Sequence, residues 1–200
     1  MMLCLPSARE ADWVKGVGVI ALAYLAHCVA VIALAYLDPQ GVAPLLPGAE
    51  NYWRKQISWI QTGTDAEYQL SAWVPAHLKL LLAAFLFSYT SLGAVIFYEG
   101  FFEVDLMNFY NARLMAESSN HALSLALGWH VWSWLRGLGY LFIAFEIISF
   151  SLRRMTGIKD GAARLRWQRV SIGLAFLLAD GLVKVILLEP VREQMMFNLK

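Results

Sequence analysis

Long apolar runs separated by stretches rich in aromatic and charged positions divide this chain. The first run covers 14–37, with Lys15 at its edge. It exceeds both the ~20 residues that cross a bilayer and the roughly 7–15 residues of a secretory h-region. An uncleaved transmembrane helix is therefore expected. Further apolar runs follow at 78–102, 131–152 and 170–188. The run 78–102 contains the hydroxyl cluster Ser88-Tyr89-Thr90-Ser91, whose hydroxyls are expected to bond within their helix or to a neighbouring one.

The connections differ in kind. Asp38–Gly48 carries Pro39, Gly41, Pro44, Pro47 and Gly48, which interrupt regular structure. In 50–73, Trp53, Ile57 and Ile60 recur at helical spacing, with Arg54, Lys55 and Gln61 elsewhere. Tyr52, Trp53, Trp59, Tyr68 and Trp73 crowd this stretch, and Tyr and Trp favour the headgroup layer. A helix lying on the membrane is expected, with a small cap folded onto the bundle as the alternative. The segment 103–117 has Leu106, Phe109, Tyr110 and Leu114 in a helical rhythm but too many charges to span. It reads as a second interfacial or partner-docking helix. The expected fold is thus an all-α integral membrane protein of four transmembrane helices and two amphipathic connecting helices, forming one domain over 1–200.

Composition agrees. The chain is 59% hydrophobic and 16% charged, against about 25% charged in soluble domains, and its mean hydropathy is +0.53. A net charge of +1 gives no basis for binding nucleic acid. Cys4 and Cys28 form no C-x-x-C and no disulfide framework.

Charge changes the picture in 131–188. Loop 153–169 holds six Lys/Arg and one Asp, and the flanking runs contain Arg136, Glu146, Asp180 and Lys184. Charges in hydrocarbon are costly and usually face protein or water. Folded as an antiparallel hairpin, the two runs bring Arg136, Asp180 and Lys184 into one compensated cluster, with Asp180 and Lys184 also one turn apart. Glu146 is left without an evident intrachain partner and is expected to be protonated through burial. The cluster is either a structural packing interface or, with Glu146 and Asp180, an ion or proton path. The positive-inside rule places loop 153–169 in the cytoplasm. Counting four spans then puts 38–77 in the cytoplasm and both termini outside.

Catalytic signatures are missing. The chain has no P-loop, H-E-x-x-H, G-x-S-x-G or zinc-type spacing. His27, His77, His121 and His130 offer no pair at matched depth for haem, and Ser133 near His130 lacks a triad. The order Gly128-Trp129-His130 with Ser133 breaks the H-G-x-x-E-like signature of the stage II sporulation protein M group, and no motif ties the chain to membrane proteins of conjugative elements. No catalytic, cofactor or metal residues are assigned, and enzymatic activity is not the expectation. The expected role is a non-catalytic subunit of a larger bacterial inner-membrane complex, of secretion, transport or respiratory type, with the lipid bilayer and other membrane subunits as partners. A small transporter or channel with Glu146 and Asp180 in its path is the alternative.

Overall fold

The computed structural model describes residues 8–63, 74–75, 78–79, 81–83, 86–87, 94–155 and 165–199. Among them the protein is all-helical. Helix α1 is Ala8–Leu37, α2 the short Pro39–Val42, and α3 Ala49–Thr62; a single 3-10 turn, Ala43–Leu45, lies between α2 and α3. Helix α4 is Ala94–Ala116, α5 His121–Gly128, α6 Val131–Met155 and α7 Trp167–Asn198. Among the described residues three stretches are long and apolar enough to cross a membrane: Val14–Leu37, Val131–Ser151 and Trp167–Asn198. The expected span 78–102 lies largely outside the described residues, and its last part is the first turns of α4.

Local chemistry explains the breaks. The Asp38 carboxylate accepts from the Gly41 amide (2.9 Å) and caps α2, with Pro39 in the first turn, where its missing N–H costs nothing. Helix α3 is bounded by Gly48 and Gly63, both left-handed at φ 89° and 70°. Asn120 caps α5 through the Leu123 amide. Pro190 lies inside α7. A proline removes one backbone bond and crowds the carbonyl four residues back. The turns beyond it are tied down from outside: Arg192 donates to the Ile60 carbonyl (3.2 Å), and the Asn198 amide donates to Ser124 Oγ (2.6 Å).

Helix α3 departs from the expected surface helix. Trp53, Gln56, Trp59 and Ile60 are buried on one face, which packs on Leu106, Phe109 and Tyr110 of α4 and Met195 of α7. Protein, not lipid, covers that face, as in the folded-cap alternative; residues 64–73 of the expected helix lie outside the described residues. Arg113 stacks 4.5 Å over the Trp53 ring while pairing with Glu50 (2.9 Å) and Glu117 (3.2 Å). The segment 103–117 is likewise no separate interfacial helix but the second half of α4, and its Leu106, Phe109, Tyr110 and Leu114 are buried in the same cluster.

Helix directions follow from the contacts. Tyr24 meets Phe101 (5.2 Å between ring centroids) and His27 Nε2 meets Asp105 Oδ1 (2.7 Å), so α1 and α4 run parallel. Gly16 near the start of α1 lies against Phe145 in the second half of α6, so those two run antiparallel. The chain therefore leaves α3 at one end of the bundle and re-enters at Ala94 at the other. Between these points Leu81 packs on Ile143, Ile147 and Leu177. This changes the expected placement of the ends: the start of α1 sits at the same end as the loop between α6 and α7, and α3 at the opposite end. The error lay in excluding α4 from the bundle for its charge. Asp105 is matched by His27, so α4 lies alongside α1 despite that charge.

The helix directions make a direct prediction. On a background lacking Cys4 and Cys28, cysteines replacing Gly16 and Phe145 will be joined by a short bifunctional thiol reagent, whereas cysteines at Gly16 and Trp132 will not. Cross-linking of the second pair alone would reverse the assigned direction of α1.

Candidate functional site

The site is built on the α6–α7 hairpin. Two glycines bring these helices together: a Cβ on Gly139 would lie 2.9 Å from the Gly173 carbonyl, and one on Gly173 2.7 Å from the Gly139 carbonyl. Backbones approach this closely in lipid only where side chains are absent. Phe142 and Phe176 stack beside the crossing, 5.7 Å between centroids.

On one side of the crossing Arg136 meets Asp180. Nε donates to Oδ2 at 2.9 Å and Nη2 to Oδ1 at 3.3 Å, a two-pronged clasp. Asp180 is fully buried, and Lys184, one turn further along α7, is also buried. The expected grouping of Arg136, Asp180 and Lys184 on one side of the hairpin is what the helices place there.

On the other side, about 15 Å along α6 at 1.5 Å per residue, Glu146 is 0% exposed. Its Oε1 accepts from Arg153 Nη2 (2.8 Å) and the Arg166 backbone amide (3.2 Å), and its Oε2 from Arg169 Nη1 (3.0 Å). The expectation of a partnerless Glu146 is overturned: three donors hold it. One signal was present in the sequence. Arg153 follows Glu146 by seven residues, two helical turns, and so lies on the same face of α6. Arg166 and Arg169 were counted only as loop charge.

Other groups were missed altogether. His27 and Asp105 pair between α1 and α4, linking residues far apart in sequence. A cavity of about 40 Å³ opens where α3 and α4 meet the ends of α6 and α7, and Arg136 and Lys184 line it together with His130 and Ser133. His130 is stacked on Trp132 (4.2 Å, 10° between planes) and meets Trp59 edge-on. Burial, then the nearby Lys184 and Arg136, hold its pKa down to about 3, so the ring is neutral.

Chemically, both hairpin carboxylates direct their oxygens at guanidinium donors. That arrangement fixes two helices to each other at two depths. Comparison with known proteins adds no guide: the sequence matches no family model, no curated protein and no solved structure.

Glu146→Gln will remove the carboxylate that Arg153 and Arg169 share. Breaking a buried pair costs ~3–5 kcal/mol in soluble proteins, so detergent-solubilised protein should unfold at clearly lower temperature and accumulate less in membranes. Glu117→Gln, which removes an exposed partner of Arg113, should cost at most ~1 kcal/mol. Equal effects of the two changes would contradict the structural weight given to Glu146.

Proposed function

We propose that this chain is a non-catalytic structural subunit of a larger assembly in a bacterial inner membrane. The observation that carries the reading is the state of the two hairpin carboxylates. Glu146 and Asp180, the groups an ion or proton path would use, are each held by arginine. A second support is the uncovered apolar surface of two helices. Val19, Leu22, Val29 and Leu34 of α1, and Leu178, Leu182 and Ile186 of α7, are exposed in the isolated chain. Such faces suit lipid and neighbouring membrane helices.

In this reading the segment 78–102 supplies a fourth membrane-embedded stretch. Its described residues Leu78, Leu82 and Leu86 are exposed at helical spacing, while Leu81 faces the bundle. The basic segment 153–169, which joins α6 to α7, faces the cytoplasm by its six Lys/Arg. The start of α1 then lies on the cytoplasmic side. The cap made by α3, the end of α4 and α5 lies on the outer face, where it offers a folded surface to partner subunits.

Extraction of the tagged chain from its native membrane in mild detergent, followed by native electrophoresis and mass spectrometry, tests the proposal. The expected result is a fixed set of membrane proteins at constant stoichiometry, whose accumulation falls when the chain is deleted. A chain that purifies alone, and makes vesicles permeable to protons or ions in a manner abolished by Asp180→Asn, would instead establish the transporter reading.

A further inference from the structure

The three apolar stretches stop together at one end of the bundle. The stretch of α6 ends at Ser151, that of α7 begins at Trp167, and that of α1 begins at Val14. Contacts hold these helix ends level. Gly16 of α1 lies against Phe145, the neighbour of Glu146, and Glu146 accepts from the Arg166 amide at the start of α7. Composition therefore marks this level as the edge of the hydrocarbon. Trp167 is 65% exposed there, and tryptophan favours the headgroup layer.

The charge at this edge is positive on balance. The sequence 153–169 holds six Lys/Arg and one acid, Asp160. Glu146 adds a second acid, drawn wholly inside by Arg153 and Arg169. The start of α1 adds Arg9 and Lys15 against Glu10 and Asp12, and the start of α4 adds Glu99. Eight cations thus stand against five carboxylates when every residue of these segments is counted. At the edge itself, Arg166 meets Glu146 through its backbone amide and not its guanidinium. Lys15 is exposed, and the first turn of α7 holds no acidic residue.

On the membrane placement of the three stretches, and independently of the subunit role, we infer that this end of the bundle binds anionic phospholipid headgroups, with Arg166 and Lys15 at phosphate depth. Sign and position together select this partner. Each Lys or Arg beside an anionic lipid surface adds to the attraction, whereas a zwitterionic headgroup presents no net charge to the excess. Long Arg and Lys stems lie along apolar surface while their heads reach outward, and a guanidinium can donate to two phosphate oxygens at once. The apolar surface beneath, Val14 and Val19 of α1 and Ile172 of α7, suits the acyl chains of the same lipids. Glu146 has a part in this arrangement: holding the start of α7 through the Arg166 amide, it keeps Arg166 and Trp167 at the level where the apolar stretches end.

The test uses the whole chain in mild detergent. Phosphatidylglycerol or phosphatidylcholine is titrated in, and the lipid bound to each protein is counted by native mass spectrometry. Phosphatidylglycerol is expected to bind more tightly by about tenfold or more, with the difference shrinking as salt rises. Lys15→Gln and Arg166→Gln, which leave the contacts of Glu146 with Arg153 and Arg169 in place, are each expected to weaken phosphatidylglycerol binding about fivefold. Arg166→Lys keeps the charge and should retain most of the affinity. Arg54→Gln with Lys55→Gln removes two cations from α3 at the opposite end and should leave binding unchanged. Equal binding of the two lipids by the unaltered chain would overturn the proposal. So would binding unaffected by both Lys15→Gln and Arg166→Gln, an equal loss in the α3 variant, or displacement of the lipid by an equal concentration of inorganic phosphate.

Discussion

Two arginine–carboxylate clasps hold the α6–α7 hairpin, and the remaining structure is placed around them. Each carboxylate is fully buried, and each is reached by guanidinium groups from a different point in the chain. A lone charge at that depth is prohibitive, whereas a charge met by directed hydrogen bonds is tolerable and specifies one arrangement. Because Asp180 answers Arg136 and Glu146 answers Arg169, the register of α6 against α7 is set at both ends. The glycine crossing between them, Gly139 against Gly173, supplies the closeness that lets the side chains reach.

A different logic governs the end of the bundle where α3 sits. Trp59, Ile60, Phe109, Tyr110 and Met195 are almost wholly buried there, as in the core of a soluble domain. Hydrophobic burial in lipid gives helices no preference for each other. Burial away from water does. The Asn198 amide, bonded to Ser124 and the Asn120 carbonyl, fastens the last turn of α7 to α5 across the same region.

Much of this was legible in the sequence. Three of the four expected spans coincide with long apolar helices, and the Arg136–Asp180 contact follows from hairpin spacing alone. What escaped was the pairing of charges across large separations. Asp105 made α4 read as a surface segment because its partner, His27, lies on α1, and no periodicity links them. From that one exclusion came the misplaced ends of α1 and α3. Glu146 read as solitary because basic residues near a loop were assigned wholly to topology, although Arg153 lies on its own helical face. That the helix continues past Pro190 has no local signal either, because the proline's removal of a backbone bond is local, whereas the contacts of Arg192 and Asn198 beyond it are tertiary. The cavity had no signature, since Tyr52, His130 and Lys184 come from three separate stretches.

The most direct test of this account is a double-mutant cycle on Arg136 and Asp180, read as thermal stability of the detergent-solubilised chain and as accumulation in membranes. Leucine at either position alone strands the opposite charge; leucine at both removes the two charges together. The account predicts that the double variant is markedly more stable than the sum of the single effects allows, with a coupling within the ~0.5–3 kcal/mol found for residues in contact. Additive effects, to within ~0.5 kcal/mol, would show that the two side chains do not act as a pair and would contradict the claim that this clasp sets the hairpin.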